Sequence, residues 1–187
     1  MIDRGFAAAF AALLLAVALP FRGRADDDPP RGDQPAGSDR AGADHHGRAD
    51  HHAGVDHRGD HGMGFSHHTT NHHFGLTKAG GTISAEAKDP KDHRSRDAIR
   101  RHFRHLAAAF KKANFEGPMF IHGREPPGVP VMKELAAEIS YRAEETPAGG
   151  RVVITTANPE ALAAIHQFLK FQITDHRTGD SLEVEPR

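Results

Sequence analysis

The sequence predicts an α+β fold in which a four-stranded antiparallel sheet carries two long helices on one face. Two observations lead to this prediction: one segment occurs twice in the chain, and each copy precedes an amphipathic stretch with a helical period. Strand-like stretches at residues 74–77 and 140–145 precede the two copies and complete two β-hairpins. Since amphipathic helices need a sheet face to cover, we expect a two-layer sandwich built as a duplicated ββα unit.

The repeated segment occupies residues 80–90 and 149–159, which read GGTISAEAKDP and GGRVVITTANP and align without gaps. Alternating apolar residues in each copy predict a strand with one buried face. We expect each glycine pair to supply the positive φ angles of a hairpin turn. Asp89 and Asn158 each precede a proline, a pattern typical of a helix N-cap followed by its first residue.

Helices are predicted over residues 95–114 and from residue 158 to about 175, because apolar residues recur there at steps of three and four. A shorter helix fits residues 131–138, near Pro130. Residues 116–129 are rich in proline and glycine, and we expect a long crossing loop there, of the kind that often binds ligands. The apolar stripe of the first long helix consists of Ile99, Phe103, Leu106, Phe110 and Ala113.

An apparent export signal and a polar leader precede this domain. Arg4 is followed by an apolar stretch at residues 6–19 and then by a small-residue site, the three-part layout of a secretory signal peptide. A membrane anchor is the alternative, but a span needs about 20 apolar residues. We therefore expect a signal peptide at residues 1–25, a disordered leader rich in His and Asp at 26–70, and the α+β domain at 71–187. The protein would be exported, to the periplasm or the extracellular space.

Composition excludes several classes of function. The chain has 24 Lys and Arg against 25 Asp and Glu, so it has no electrostatic footprint for nucleic acid, and we expect no membrane association after signal cleavage. It has no cysteine, so disulfides, thiolate copper sites and zinc ribbons are excluded. Any metal ligands must be imidazole, carboxylate or thioether groups.

Ten of the 16 histidines lie between His45 and His73, in repeats of Asp followed by His. Residues 26 to about 64 contain almost no large apolar side chains and cannot offset the entropy of ordering the chain, which predicts disorder. One interpretation is a weak, multivalent collector of zinc, nickel or copper, because neutral imidazole is a common ligand for these metals. The other is a solvated tether without a binding role, and the composition leaves both open.

Several short segments resemble a group of small exported bacterial proteins of unassigned function. They are MGF at residues 63–65, HHF at 72–74, the stretch 118–130 with IleHis and ProProGly, and AIHQFLKFQITDHRTGD at 164–180. The resemblance covers residues 63–180. It implies a recurring folded module behind a variable leader, and it implies no activity, cofactor or catalytic residue.

Histidines of the folded part are candidate metal ligands. His102 lies at the flank of the apolar stripe of the first helix, with His105 one turn further on, and such a pair can share a metal or simply border a hydrophobic surface. His166 has a similar flank position on the second helix. If the two helices lie side by side, His102 and His166 could converge, and His122 from the crossing loop would complete a site of three imidazoles.

His176 lies ten residues beyond His166, which is roughly 15 Å along a helix. One ion cannot bind both, because bonds from a metal to imidazole nitrogen are only about 2.0 Å long. A second cluster would combine His176 with His122, or with His72 and His73 at the start of the first strand. The alternative is that His176 is a cation at the negative end of its helix dipole.

No nucleophile elbow, HExxH, P-loop or paired-carboxylate motif occurs in the chain, which argues against an enzyme. The sequence therefore predicts an exported metal-binding or metal-buffering protein with Zn, Ni or Cu as its cofactor and partner. Two alternatives stay open: a non-metal interaction module on a disordered tether, whose protein partner the sequence does not reveal, and a histidine-dependent enzyme that uses acid/base chemistry on a small ligand.

Overall fold

The structure is a computed structural model that describes residues 40–185, except for the side chains of residues 40–50 and of His52. The predicted signal peptide at residues 1–25 and the first part of the leader, 26–39, lie outside the described residues. None of the described helices is both long enough and apolar enough to cross a membrane.

The described chain forms one four-stranded antiparallel sheet in the spatial order β1-β2-β4-β3. Adjacent strands in the chain form the two hairpins, and the second strands of the hairpins pair with each other at the centre of the sheet. This confirms the predicted α+β fold with two hairpins. The strands are β1 (Thr70–Thr77), β2 (Gly80–Ala87), β3 (Ile139–Glu145) and β4 (Gly149–Thr156).

Both long helices pack on the same face of the sheet. A Cβ atom added to Gly81 would lie 2.3 Å from Leu169 of the last helix, and one added to Gly150 would lie 3.3 Å from Phe103 of the second helix. Gly81 and Gly150 belong to the same sheet face, so the two-layer prediction is confirmed. The helices are α1 (Arg40–Met63), α2 (His93–Phe110), α3 (Glu116–His122), α4 (Val129–Glu134) and α5 (Pro159–His176), with a 3-10 turn at Ala136–Glu138.

The repeated glycine pairs begin the central strands, and the prediction that they form the hairpin turns is wrong. Gly80 pairs with Thr155, and Gly149 pairs with Glu86, so the two copies are related by a local two-fold. A Cβ on Gly80 or on Gly149 would lie 2.1 Å from a carbonyl oxygen of the opposite central strand. Glycine is needed here because the two backbones approach each other closely.

The predicted N-cap residue is observed in only one of the two copies of the repeat. Asn158 accepts hydrogen bonds from the backbone N–H groups of Glu160 and Ala161 and caps α5, as predicted. In the first copy, Asp89 instead stabilises a turn by accepting from Lys91 N–H. The N-cap of α2 is Asp92, three residues later, because the turn at Asp89 redirects the chain before the helix begins.

The crossing predicted as a loop at residues 116–129 contains helix α3. This helix begins after Phe115, which stacks on Phe110 with ring centroids 4.5 Å apart, and it ends at Gly123, whose φ is 66°. Its proline, Pro118, lies in the first turn, where no N–H is needed. The proline and glycine content thus marked the two ends of a short helix.

The leader differs from its prediction over Arg40–Met63, where the structure has helix α1 in place of a disordered chain. Val55 is fully buried, and Arg58 Nε donates a hydrogen bond of 2.8 Å to the carbonyl oxygen of Ile121 in α3. The composition of this segment does not favour a helix, and a few specific contacts with the domain stabilise the helix that forms.

Candidate functional site

A cavity of about 100 Å³ lies between the sheet and the helices and is lined mainly by apolar side chains. Four of its lining residues are histidines, contributed by four different elements of the fold. The apolar lining includes Phe74, Leu106 and Phe168, and the end of α1 contributes Met63. The four histidines are His72 of β1, His102 of α2, His122 of α3 and His176 of α5.

His72 and His102 share one aromatic neighbour, Phe65. The ring of His72 stacks on Phe65 with centroids 5.5 Å apart, and the ring of His102 meets Phe65 edge-on at 5.6 Å. Burial lowers the pKa of His72 to about 4 and that of His102 to about 4, so both rings are neutral at pH 7. The Nε2 atom of His72 is buried and has no hydrogen-bond partner among the described residues.

His176 ends α5 beside the same cavity. Its ring stacks on Phe74 at 5.7 Å and meets His122 edge-on at 4.9 Å. Burial, with a smaller contribution from His122, lowers the pKa of His176 to about 3. The alternative prediction of a cation at the helix C-terminus is therefore wrong, because the apolar surroundings disfavour the charged ring.

His122 is almost fully buried and lies between two polar residues of α5. Its Nδ1 donates a hydrogen bond of 2.6 Å to Asp175, and its Nε2 lies 2.9 Å from the side-chain oxygen of Gln172. The amide nitrogen of Gln172 has no partner among the described residues. Both contacts suit a protonated imidazole, or a neutral one if the Gln172 amide turns its nitrogen toward Nε2.

Asp175 links three helices. Besides His122 of α3, its carboxylate contacts Nε2 of His51 in α1 at 3.1 Å and the guanidinium of Arg124 at 3.7 Å. Burial by itself would raise the pKa of Asp175, but the hydrogen bonds from His122 and His51 outweigh burial and hold this pKa below its usual value. The group is therefore a carboxylate at neutral pH and stabilises the closed arrangement of these helices around the cavity.

A polar pocket of about 390 Å³, larger than the cavity, is lined by two of the four cavity histidines, His72 and His176. Its other lining residues include Asp56 and two cationic side chains, Lys88 and Arg177. Since the two rings border both spaces, a molecule seated between them would have an apolar environment on one side and a polar one on the other.

His166 is not brought to the cavity. Its Nε2 donates to the carbonyl oxygens of Thr77 and Gly80, at 2.9 and 3.0 Å, and so ties α5 to the first hairpin turn. Thr77 is five residues beyond His72 along β1, a distance of about 16 Å at the usual rise of a strand. His166 therefore does not join His102 and His122 as the sequence suggested.

His73 lies on the opposite face of the sheet from His72. Its side chain is 58% exposed, and its Nδ1 donates to Asp180 at 2.9 Å. Among the side chains that the structure describes, no group of three or more His, Asp or Glu is arranged to hold a metal ion. Metal binding by His72, His73, His102, His122, His166 and His176 therefore stays a prediction.

The sequence did contain a signal for part of this site. Gln172 and Asp175 lie three residues apart on the buried side of α5, and polar residues on such a face need a partner. His51 had no comparable signal, because its segment was predicted to be disordered. Comparison of the chain with protein-family models, with curated proteins and with solved structures found no match in any of the three.

Proposed function

We propose that this domain binds a small organic molecule in the histidine-lined cavity. The observation that carries the proposal is the Nε2 atom of His72, which is buried at the cavity and has no protein partner among the described residues. A buried polar atom without a hydrogen bond costs about 1–3 kcal/mol. A ligand that hydrogen-bonds to this atom would recover that free energy.

The size and walls of the cavity limit the ligand. A cavity of about 150 Å³ with apolar walls holds benzene, so one of about 100 Å³ suits an apolar group of about four non-hydrogen atoms. Because His72, His102 and His176 are neutral at pH 7, they do not favour an anion inside the cavity. A neutral hydroxyl or amide group next to the apolar group matches these rings best.

The test uses the full chain and neutral alcohols and amides with three to six carbons, beginning with cyclopentanol, with binding followed by NMR shifts. His72→Leu should abolish binding, because it removes the unpartnered nitrogen. His105→Leu is the matched control, since it changes an exposed histidine that lines neither the cavity nor the polar pocket and should bind as the parent does. Equal binding by both variants, or no binding by the parent, would reject the proposal.

A divalent metal, Zn²⁺, Ni²⁺ or Cu²⁺, is the second candidate occupant. The observation in its favour is that His72, His102 and His176 are all neutral, the state in which imidazole binds metals. Elemental analysis of the purified chain, with thermal melts before and after chelation, separates the two candidates. A bound ion raises the melting temperature by mass action, so an ion in the cavity predicts a larger decrease on chelation in the parent than in His72→Leu.

With the export signal that the sequence predicts, we propose that either form of binding operates outside the cytoplasm. Helix α1 contacts the domain through Val55 and Arg58, so this part of the leader and the ligand site belong to one compact unit. Fractionation of the cells that produce the full chain tests this location directly: recovery of uncleaved protein in the cytoplasm would contradict it.

A further inference from the structure

Helix α1 has little intrinsic stability. Its last three turns contain Gly54, Gly59 and Gly62, and each glycine in a helix interior costs about 1 kcal/mol relative to alanine. Its helical form therefore depends on anchoring contacts with the domain, such as the buried Val55 and the hydrogen bond from Arg58 to α3.

These anchors determine which side of α1 faces outward. His51, Val55 and Arg58 contact the domain, and the side chains of His57 and His61 are exposed. Because His57 and His61 are four residues apart on one helix, their side chains are neighbours on the same face, with Cβ atoms about 5–6 Å apart. The disordered chain expected from composition would have fixed no such geometry.

We propose that His57 and His61 form a two-imidazole site for a divalent transition metal on the outer face of α1. Two imidazoles four residues apart on a helix can bind the same ion, and water fills its remaining positions. Cu²⁺ should bind more tightly than Ni²⁺ and Zn²⁺, following the general order of these ions for nitrogen ligands. The site lies outside the cavity and does not depend on what the cavity binds.

The neighbouring carboxylates have different roles. Asp60 accepts hydrogen bonds from the backbone and side chain of His67, so it is already engaged in the turn after α1. Asp56 lines the polar pocket beside His72 and His176. Among the described side chains of α1, the two exposed imidazoles therefore remain available to an ion in solution.

Metal binding here has a mechanical consequence for the cavity. An ion that bridges one turn of α1 stabilises its helical form, and this same helix provides Gly62 and Met63 to the cavity wall. The ion would therefore reinforce a wall whose intrinsic stability is low. The expected result is a higher melting temperature of the full chain in the presence of Cu²⁺.

The experiment titrates the full chain with Cu²⁺ below one equivalent and follows the imidazole signals of each histidine by NMR. The signals of His57 and His61 should broaden first. His61→Asn should weaken the tightest binding step at least about tenfold, because the second ligand acts at a high effective concentration. His68→Asn, at an exposed histidine outside α1, is the matched control and should leave that step unchanged.

A rescue variant tests the spacing itself. Ala53 is exposed and lies four residues before His57, so Ala53→His added to His61→Asn rebuilds a pair at the same spacing. This double variant should recover the tight step and the rise in melting temperature. No broadening of the His57 and His61 signals, no effect of His61→Asn, or failure of the rescue would each overturn the proposal.

Discussion

His166 and His176 lie on the same helix, ten residues apart, yet their surroundings have nothing in common. His166 donates from Nε2 to two backbone carbonyls and holds the hairpin turn between β1 and β2. His176 lies among rings at the cavity, and burial keeps it neutral. The middle of α5 thus uses an imidazole as a structural donor, whereas its C-terminal end presents one to a potential ligand.

The difference teaches that position on an amphipathic stripe does not determine the role of a histidine. In the sequence pattern, His166 lies at the flank of the apolar face of this helix and His176 on the continuation of that face, but the element packed against each ring decides its role. His166 lies beside the carbonyl oxygens of Thr77 and Gly80, which accept a hydrogen bond from its Nε2. His176 lies beside Phe74 and His122, and burial outweighs the favourable charge of Asp175, so the pKa of its ring stays low.

The largest expected effect is destabilisation of the protein by acid, caused by the three neutral histidines at the cavity. Because the pKa values of His72, His102 and His176 fall to about 4, 4 and 3, the unfolded chain binds more protons than the folded one below pH 6.5. The free energy of unfolding should therefore decrease as the pH is lowered from about 6.5 to 4, by up to about 1.4 kcal/mol per pH unit for each ring. Urea unfolding at pH 7.5, 6 and 5 measures this slope.

The variant His102→Leu should flatten that slope by about one third, because it removes one of the three titrating rings. His73→Asn, on the opposite sheet face, should leave the slope unchanged. A parent protein whose stability is constant from pH 7.5 to 5 would show that the cavity rings are not held neutral.

The next largest effect should come from Asp175. Asp175→Ala leaves the buried His122 and its neighbours His51 and Arg124 without their carboxylate, and loss of one partner of a buried pair costs about 3–5 kcal/mol. Urea unfolding at pH 7.5 checks the value. Asp175→Asn keeps an acceptor and should cost less.

A double-mutant cycle sharpens this result. Asp175→Ala combined with His122→Phe should cost less than the sum of the two single changes. Each single change already removes the contact between the two side chains, so their sum counts the loss of that contact twice. Strict additivity would mean that the 2.6 Å hydrogen bond between them contributes nothing to stability.

At the hairpin end of α5, His166→Ala should cost about 1–2 kcal/mol, since it removes the donor to Thr77 and Gly80. Faster amide hydrogen exchange in the β1–β2 turn would locate the loss. Unchanged exchange in that turn would contradict the structural role of His166.

The smallest effect is expected at the start of α5. Asn158→Ala should cost about 1 kcal/mol, because two backbone N–H groups lose their acceptor. Asp92→Ala, at the cap of α2, should cost a similar amount, and thermal melts measure both. Asn158→Asp preserves the acceptor and serves as the control; a loss as large as that of alanine would exclude capping as the cause.

Local pattern was sufficient for the layered fold. Alternation in the strands, the stripe at Ile99 and Phe103, and the cap at Asn158 each depend on residues close in the chain, and all appear in the structure. The sequence pattern indicates a special role for the glycine pair at Gly149 but predicts a hairpin turn, whereas the pair permits the close approach of two strands. Its need for glycine arises from the paired strand at Glu86, 63 residues earlier in the chain, which no local pattern contains.

The candidate site is largely a product of tertiary structure. The sequence by itself determined that His72, His102, His122 and His176 lie on or beside folded elements, because periodicity assigns a residue to a helix or strand face. Only the tertiary structure decided that these four meet at one cavity, that His166 does not, and that α1 covers the site. The physical reason is that burial, pKa and hydrogen-bond partners depend on which surfaces pack together, and packing joins residues that are distant in the chain.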